Sequence, residues 1–369
     1  MVGGGDFVNA PVERVQVAAF RIPTDAPEAD GTLEWESTTL VVVEVAAGGR
    51  RGLGWGYADL ATARLVADRL ADVVHGRDAL AIPAAWAAMV RSIRNLGRPG
   101  IASMAIACVD VALWDLKARL LDLPLFALLG AAREEVPLYG SGGFTSYDPA
   151  RLGEQLGGWA AAGFGAVKMK VGARPEEDLE RAALARAAIG PDVELFVDAN
   201  GAYERKQALA FAERYAELGV TWFEEPVSSD DLEGLRLLRD RAPAGMRIAA
   251  GEYGYDAPAF VRLLGAVDVL QADATRCAGI SGFLRVAALA EAHGLALSAH
   301  TAPALHLHPC CAAPCRLAPL EWFHDHVRIE ALAFDGVVQP VNGRLRPDPA
   351  APGHGLTLRR ADLAPWEVG

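Results

Sequence analysis

The segment GFGAVKMKVG, residues 163–172, places two lysines in a short apolar run that is otherwise typical of a buried strand. Successive side chains of a strand point to opposite faces, so Lys168 and Lys170 share one face. Taken alone, the segment allows two interpretations: an edge strand whose lysines face solvent, or a strand that presents two ammonium groups to a site. The sequence on either side of it distinguishes them.

Strand-like runs and amphipathic helical stretches alternate from about residue 136 onwards. The helical stretch PEEDLERAALARAAIG (175–190) begins with acidic residues and ends at glycine, as helix dipoles and left-handed caps favour. Roughly eight such units with short connections follow one another, which predicts parallel strands. This number of units favours a closed (β/α) barrel over an open sheet.

The first part of the chain has strands followed by helices, which predicts a separate α+β domain. Its two strand-like runs are ERVQVAAFRI (13–22) and STTLVVVEVAAG (37–48). The polar segment between them, residues 23–37, is long enough to form a lid loop. The glycine-rich segment GGRRGLGWG (48–56) lacks the lysine and serine of a P-loop, and we interpret it as a turn beside the site.

The final residues are rich in turns and do not continue the barrel pattern. No glycine- and serine-rich linker separates the parts of the chain. The predicted segments are an α+β capping domain with lid loops at 1–135, a barrel with the catalytic and metal residues at 136–328, and a C-terminal segment at 329–369.

Composition and charge exclude several classes of function. The net charge of -12 argues against a nucleic-acid or anionic-membrane partner. No stretch approaches the roughly 20 apolar residues of a membrane span, and MVGGGDFVNA at the N-terminus lacks the apolar core of a signal peptide. We therefore expect a cytoplasmic protein. HPCCAAPC (308–315) has no second cysteine pair, so we expect reduced thiols and no zinc on Cys310, Cys311 and Cys315.

Each strand-like run of the barrel region ends in a charged or titratable side chain, and barrel active sites lie at the C-terminal ends of the strands. Successive members of the set lie 21 to 28 residues apart, which is the length of one compact βα unit. The set, in chain order, is Lys168 and Lys170, Asp198, Glu224, Glu252, Asp273, His300 and Glu321.

Asp198, Glu224 and Glu252 end three consecutive strands, so their carboxylates converge. Three oxygen ligands of this kind suit Mg²⁺. The alternative is a set of structural ion pairs with the barrel lysines, but three carboxylates would repel one another without a cation. Asn200 lies two residues beyond Asp198 on the same face, where it can bind substrate, whereas Glu225 points away.

The remaining strand ends indicate acid–base chemistry. A lysine beside a second ammonium and a metal has a lowered pKa, so Lys170 is a candidate base and Lys168 a neighbour that contacts substrate. On the far side, the Asp273 carboxylate fixes the tautomer of His300, although a core histidine bonded to a backbone carbonyl is the alternative. Glu321 either binds a developing oxyanion when protonated or pairs with a lysine.

Four further histidines coincide with no strand end. We interpret them as residues on the surface or in contacts between subunits of a homo-oligomer, between a dimer and an octamer in size; contact of one of them with substrate is the alternative. They are His306, His308, His324 and His326.

The ordered motifs KMK, DAN, EEP and GE, followed by Asp and His on the next two strands, resemble the enolase superfamily, mandelate racemase subgroup. The stretch DVALWDLKARLLDLPLFALLG (110–130) is similar to the helix that leads into the barrel in that family. The resemblance covers nearly the whole chain. It implies an α/β fold, a (β/α)7β modified TIM barrel with an N-terminal α+β capping domain. It also implies lid loops near 21–38 and 52–60 and a C-terminal segment that returns to the cap.

For the site, the resemblance implies one Mg²⁺ on Asp198, Glu224 and Glu252, with Lys170 as base on one face and the His300–Asp273 dyad on the other. Relatives with both features are mostly acid-sugar dehydratases. The implied reaction removes the proton α to a carboxylate, giving an enediolate, and then eliminates water, which makes a Mg-dependent hydro-lyase.

Two other functions are open. A racemase, epimerase or cycloisomerase would use the same residues, because elimination and epimerisation share their first step. A non-catalytic binding protein is disfavoured, because nothing would then hold the buried charges. The partner is a small-molecule carboxylate, and the lid carboxylates favour a sugar acid. Trp35 and Tyr253 are expected to contact it; relatives often have a small polar residue where Tyr253 follows the third ligand. The lid carboxylates are Asp25, Glu28, Asp30, Glu34 and Glu36.

Overall fold

The computed structural model describes residues 9–369. Most of the segment used for the signal-peptide prediction, residues 1–8, lies outside the described residues. The cap comprises three long strands followed by helices. Their bounds are β1 (Arg14–Ala29), β2 (Glu34–Ala47), β3 (Arg50–Tyr57), α1 (Leu60–Leu65), a π-helical turn (Val66–Leu70), α2 (Ala71–Val74), α3 (Ile82–Ser92), α4 (Ile101–Leu120) and α5 (Leu125–Leu129).

The cap sheet is antiparallel, and α4 packs on one face of it. Two glycines of β3 explain how closely helix and sheet approach. A Cβ atom at Gly52 or at Gly54 would lie 2.2 Å from a backbone oxygen of α4. The interpretation of residues 48–56 as a turn was therefore right for Gly48 and Gly49 and wrong from Arg50 onwards, because Gly52 and Gly54 serve helix–sheet packing inside a strand.

The lid is also more regular than the sequence predicts. Residues 23–37 form the end of a β-hairpin in which β1 and β2 continue to pair, with a register shift between Pro23 and Glu28. The prediction of a lid loop was wrong in this respect. Alternation within the segment is obscured by two prolines, Pro23 and Pro27, which lie at the irregular part of the pairing.

The barrel consists of eight parallel strands that alternate with seven helices. The strands are β4 (Val136–Gly142), β5 (Ala166–Lys170), β6 (Glu194–Asp198), β7 (Val220–Glu224), β8 (Arg247–Ala250), β9 (Val269–Ala272), β10 (Ala296–Ala299) and β11 (Leu320–Phe323). The helices are α6 (Pro149–Ala161), α7 (Pro175–Ile189), α8 (Arg205–Glu217), α9 (Leu232–Arg241), α10 (Ala257–Leu263), α11 (Ile280–Ala292) and α12 (Pro303–Ala312).

The strands pair in the order β10-β9-β8-β7-β6-β5-β4-β11. The barrel closes where Leu297 exchanges backbone hydrogen bonds of 2.9 and 2.8 Å with Arg316 and Ala318. This arrangement confirms the predicted (β/α)7β barrel with an α+β cap. The interior below the mouth is filled by an apolar layer to which each strand region contributes: Tyr139, Ala166, Phe196, Trp222, Ala249, Val269, Ala296 and Ala318.

The C-terminal segment packs against both the barrel and the cap. Its elements are α13 (His324–Ala333), β12 (Phe334–Asp335), β13 (Arg344–Leu345), β14 (Thr357–Leu358), α14 (Arg360–Leu363), a 3₁₀ turn (Ala364–Trp366) and β15 (Glu367–Val368). β13 pairs with β4, and β15 pairs with β1 as the outer strand of the cap sheet. The division at 135 and 328 stays a prediction; the second boundary falls inside α13.

Two observations bear on the cellular environment. Among residues 9–369, no helix has both the length and the apolar content that crossing a bilayer requires. All five cysteines are buried and free of disulfide bonds. The absence of zinc on Cys310, Cys311 and Cys315 stays a prediction.

Candidate active site

A cavity of about 360 Å³ lies between the barrel mouth and the cap, within the size range of small-molecule sites. It has two sides, which we call the barrel wall and the cap wall. The barrel wall is formed by Lys170, Asn200, Glu252, Arg276 and His300. The cap wall is formed by Asp30, Trp35, Ser37, Thr38, Thr39 and Tyr57.

The register of the parallel strands brings the predicted residues together. Lys170 lies directly beside Asp198, which in turn lies directly beside Glu224. One carboxylate oxygen from each of Asp198, Glu224 and Glu252 lies within 4.8 Å of the others, and all three residues are buried. The predicted triad is therefore assembled at the mouth.

This triad fits a divalent cation. The Oε2 atom of Glu252 is buried and has no hydrogen-bond partner, although the His300 Nε2 atom lies 3.4 Å away. A buried carboxylate oxygen left without a partner is costly unless a cation or donor meets it. Three carboxylates are the donor set that Mg²⁺ prefers.

Lys168 lies at the centre of a buried ionic network. Its Nζ atom is 2.5 Å from Glu224 Oε1, 2.9 Å from Glu321 Oε1 and 3.3 Å from Asp198 Oδ2. Glu321 also accepts a 2.6 Å hydrogen bond from Ser141 Oγ. Of the two roles left open for Glu321, pairing with a lysine is the one that the geometry favours.

Lys170 points into the cavity from the same strand. Its Nζ atom donates to Asp198 Oδ2 at 2.5 Å and to Asn200 Oδ1 at 3.0 Å. The two lysines thus share a face, as predicted, but they are buried rather than solvated. The edge-strand interpretation is excluded, because β5 pairs on both sides within the barrel.

The lowered pKa predicted for Lys170 assumed a neighbouring metal ion, and it stays a prediction. Among the protein groups alone, burial is the largest effect and acts to lower the pKa of Lys170, but Asp198, Glu252 and Glu224 together outweigh it and raise the pKa above its ordinary value. The pKa of Lys168 is raised well above its ordinary value in the same way, chiefly by Glu224. A free-base Lys170 therefore requires that positive charge balance the Asp198 carboxylate.

The carboxylates of this ionic network differ in the direction of their pKa shifts. Burial raises the pKa of Glu224 well above its ordinary value, and the negative charges of Asp198 and Glu321 add to this effect. Burial also acts to raise the pKa of Asp198, but Lys170 and Lys168 outweigh it and lower that pKa. For Glu321, burial also acts to raise the pKa, but Lys168, His300 and Lys170 together outweigh burial and lower it.

The opposite side of the barrel wall carries the predicted dyad. His300 Nδ1 is 2.8 Å from Asp273 Oδ2, which leaves Nε2 on the side of Glu252. Burial acts to raise the pKa of Asp273, but the hydrogen bond and charge of His300, together with His306 and Arg276, outweigh burial and hold that pKa well below its usual range. An ionised partner on Nδ1 keeps the proton there and leaves Nε2 available for proton transfer. The core-histidine alternative does not describe this geometry.

Backbone strain is concentrated at these strand ends. Asn200, Glu225, Thr301 and Ala302 have φ angles of 46°, 35°, 51° and 40° in the left-handed region, which non-glycine residues rarely adopt. Each follows a predicted site residue within two positions. Strained conformations of this kind persist at functional sites because the surrounding structure fixes them.

Trp35 and Tyr253 both line the cavity, as predicted. The sequence interpretation missed Arg276, whose guanidinium lies 3.2 Å from Glu252 Oε1 and 5.0 Å from the centre of the Tyr253 ring. It also missed Tyr57. The position of Arg276, three residues after Asp273 in the loop beyond a strand end, was the available signal.

The interpretation of the extra histidines as surface residues was wrong for three of them. His306 and His308 are buried, and His306 accepts a 2.8 Å hydrogen bond from the Ala274 backbone behind the dyad. His326 lines the cavity and stacks on Tyr57. Only His324 has a partly exposed side chain, and it contacts Asp25 of the lid at 3.1 Å.

The lid hairpin is docked on the barrel. A Cβ atom at Gly31 would lie 2.3 Å from Ala199 O and 2.7 Å from Val171 O, beside the ends of β6 and β5. The Thr145 side chain donates to Asp30 O at 2.8 Å. The cap wall is thereby held over the barrel mouth.

Comparison with known proteins places both parts of the chain in one group. Residues 151–362 match the family described as enolase C-terminal domain-like, and residues 15–130 match the mandelate racemase / muconate lactonizing enzyme N-terminal domain. A 3,6-anhydro-alpha-L-galactonate cycloisomerase of Streptomyces coelicolor is 33% identical, over 97% of this chain and 100% of its own length.

Two solved structures show the same architecture. A mandelate racemase/muconate lactonizing enzyme-like protein from Rubrobacter xylanophilus has a TM-score of 0.96 and 57% identity, over 97% of this chain and 100% of its own. The L-talarate/galactarate dehydratase of Salmonella typhimurium LT2, liganded with Mg and L-lyxarohydroxamate, has a TM-score of 0.89 and 28% identity, over 98% and 94%. The chain belongs to the mandelate racemase/muconate lactonizing enzyme group of the enolase superfamily.

Proposed function

We propose that the protein removes the proton α to the carboxylate of a sugar acid in a Mg²⁺-dependent reaction, giving an enediolate, and then eliminates water from it. The observation that carries this proposal is the pair of Lys170 and His300, which line one cavity from strands on opposite sides of a carboxylate triad. Such a pair gives access to both faces of the carbon that bears the proton.

In this scheme Lys170 takes or returns the C2 proton on one face of the substrate. His300, oriented by Asp273, acts on the other face through Nε2 and protonates the departing 3-hydroxyl group. Asn200 contacts Lys170 and a substrate hydroxyl. Lys168, paired with Glu224 and Glu321, supplies a buried positive charge to the substrate carboxylate.

Asp198, Glu224 and Glu252 would hold the Mg²⁺ ion, in line with the unpartnered oxygen of Glu252 and with the Mg present in the Salmonella dehydratase structure. When bound, the ion supplies positive charge to the substrate oxygens on which negative charge develops.

A second candidate is cycloisomerisation of a sugar-acid derivative. The cycloisomerase of Streptomyces coelicolor is 33% identical over its full length, whereas the Salmonella dehydratase is 32% identical over 82% of its own length. The first step, removal of the C2 proton, is the same. Products distinguish the two reactions: a dehydratase forms a 2-keto acid from an open-chain substrate, whereas a cycloisomerase opens or closes a ring without losing water.

Solvent exchange tests the first step directly. In D2O with Mg²⁺, Lys170→Met should abolish deuterium exchange at C2 for one configuration of the substrate. His300→Asn should abolish it for the opposite configuration and stop loss of the 3-hydroxyl group. The proposal is wrong if Lys170→Met, correctly folded and still binding Mg²⁺, retains near wild-type exchange and turnover on its best substrate.

We also propose a cytoplasmic homo-oligomer. Five buried free thiols suit a reducing compartment. Leu96 and Ile101 are exposed in a common groove, which a subunit contact would cover. Light scattering on the purified protein tests the oligomer, and a monomer at micromolar concentration would exclude it.

A further inference from the structure

The cap wall carries no positive charge. Of the residues that line the cavity from the cap, all within the described part of the chain, none is lysine or arginine. The ionic side chain among them is Asp30, whose Oδ1 atom accepts hydrogen bonds from Thr32 N at 2.6 Å and Leu33 N at 2.8 Å. The other polar groups are the hydroxyls of Ser37, Thr38, Thr39 and Tyr57.

The cations of the cavity all lie on the barrel wall and are already paired. Lys170 contacts Asp198 at 2.5 Å, and Arg276 contacts Glu252 at 3.2 Å and Asp273 at 3.7 Å. Both cations are therefore held in ion pairs with carboxylates of the barrel wall.

Negative charge also lies behind the cap wall. Asp325 is buried and accepts a 2.6 Å hydrogen bond from the Thr38 hydroxyl. Its counter-ion, Arg328, is 2.6 Å away and also donates to Pro23 O, so this guanidinium is occupied. Thr38 is therefore placed to stabilise Asp325 rather than a ligand anion.

Aromatic rings line the part of the cavity that would face the far end of the substrate. Trp35 packs edge-on against Phe144, and its indole N–H donates a hydrogen bond to Glu28 Oε2 at 2.9 Å. Tyr57 stacks face-to-face on His326. Burial holds the pKa of His326 well below its usual range, so this ring is neutral. Neutral rings and hydroxyls suit the C–H groups and hydroxyls of a sugar chain.

We infer that the substrate carries a single carboxylate, at the reacting end, and that its far end is a neutral hydroxymethyl, methyl or ring group. The enzyme therefore selects aldonic acids, including deoxy and anhydro forms, over aldaric acids, which carry a carboxylate at both ends. This inference rests on the proposed function. Its physical basis is that the cap wall offers no cation to a second carboxylate, while Asp30 adds negative charge to that wall.

Matched pairs of acids test the inference. D-gluconate with D-glucarate, and D-galactonate with galactarate, differ at C6 alone. For each pair we measure C2 deuterium exchange and 2-keto acid formation with Mg²⁺ present. The kcat/KM of the preferred aldonate should exceed that of its aldarate by roughly 100-fold, since like charges brought together suppress a wrong partner strongly. An aldarate used equally well or better would overturn the inference.

Two variants test the electrostatic cause. Asp30→Asn retains the Oδ1 acceptor for Thr32 N and Leu33 N and removes the charge. It should therefore lower the ratio of kcat/KM for the aldonate to kcat/KM for the aldarate by about tenfold. Ser37→Arg introduces a cation at an exposed cap-wall position and should narrow the ratio as well. Ser37→Gln adds bulk without charge, and the ratio should stay within about twofold of the wild type.

The outcomes separate this inference from the proposed function. If no acid of either series exchanges its C2 proton, the proposed function fails, and the inference with it. If exchange occurs and aldarates are preferred, the inference alone fails. If aldonates are preferred, and neither the Asp30→Asn substitution nor added salt reduces this preference, then charge repulsion is not its cause.

Discussion

The barrel wall and the cap wall enclose the same cavity but differ in composition. The barrel wall presents Lys170, Glu252, Arg276 and His300, which are buried or paired ionic groups at the ends of rigid strands. The cap wall presents hydroxyls and aromatic rings on a hairpin that reaches the barrel through close backbone contacts at Gly31. Under the proposed function, this difference would give proton transfer and charge stabilisation to the barrel wall, and recognition of the substrate's length and end group to the cap wall.

This division predicts that changes at the barrel mouth abolish turnover, whereas changes in the cap alter KM, substrate preference or lid closure.

The largest effect is expected for Glu224→Gln. Glu224 Oε1 meets Lys168 at 2.5 Å, and Oε2 accepts from Trp222 and Gln271 at 2.9 and 3.2 Å. An amide cannot replace the charge, so Mg²⁺ affinity and kcat/KM should each fall by at least about 100-fold.

Calorimetric Mg²⁺ titration and steady-state kinetics measure this prediction. The matched control is Glu194→Gln, the same chemical change at the opposite end of the barrel, where Glu194 forms a partly exposed ion pair with Arg247 at 2.8 Å. Such pairs contribute about 0–1 kcal/mol, so the control should keep its activity. A Glu224→Gln protein with normal Mg²⁺ affinity would contradict the assignment of the triad.

A smaller effect is expected for Gly31→Ala. The new Cβ would lie 2.3 and 2.7 Å from two backbone oxygens, so the hairpin must lift from the barrel rim. Misplacing the cap wall by about 1 Å should lower kcat/KM by between about tenfold and 100-fold. Hydrogen exchange of residues 25–36 should rise with it.

Gly158→Ala in α6 is the control, because a Cβ there meets nothing within 4 Å. That variant should retain activity and gain about 0.5–1 kcal/mol of helix stability. Normal kinetics in Gly31→Ala would show that docking of the lid hairpin does not control substrate recognition. The role proposed for the cap wall would then be contradicted.

The smallest expected effect is a pH dependence of lid closure. Burial raises the pKa of Glu28 from 4.5 to about 8, and Asp325 adds to the shift. Because the closed-state pKa is raised, the stabilisation from neutral Glu28 is complete below about 4.5 and is lost as the pH rises through about 8.

Hydrogen exchange of residues 25–36, corrected for intrinsic rates, should therefore increase between pH 5 and pH 9. Glu28→Gln keeps an acceptor for the Trp35 indole and has no ionisable group, so its exchange should not change over this range. A wild-type profile as flat as that of the variant would exclude Glu28 as the source.

The arrangement at the barrel mouth could be predicted because parallel strands deliver their last residues to one edge. Asp198, Glu224 and Glu252 follow from spacing alone, since register places their strands side by side. The 2.5 Å contact between Lys170 and Asp198 could not be predicted from spacing, and this contact is the main effect that raises the pKa of Lys170 against burial.

The cap was harder to predict for physical reasons of its own. Gly52 and Gly54 indicate a turn when β3 is considered alone, and only the backbone of α4, about sixty residues later, explains them. His326 has no sequence signal for the cavity, because it lies beyond the last barrel strand on α13 and reaches the site by stacking on Tyr57. Such contacts are set by packing between distant segments.

The pairing of β15 with β1 has a consequence for biosynthesis. The outer strand of the cap sheet comes from Glu367–Val368, which the ribosome produces after the entire barrel. While the barrel is being made, the outer edge of β1 around Ala19 and Phe20 has no partner and is a template for pairing with other chains. Protection of the nascent cap from aggregation therefore depends on how quickly translation reaches Glu367 and Val368.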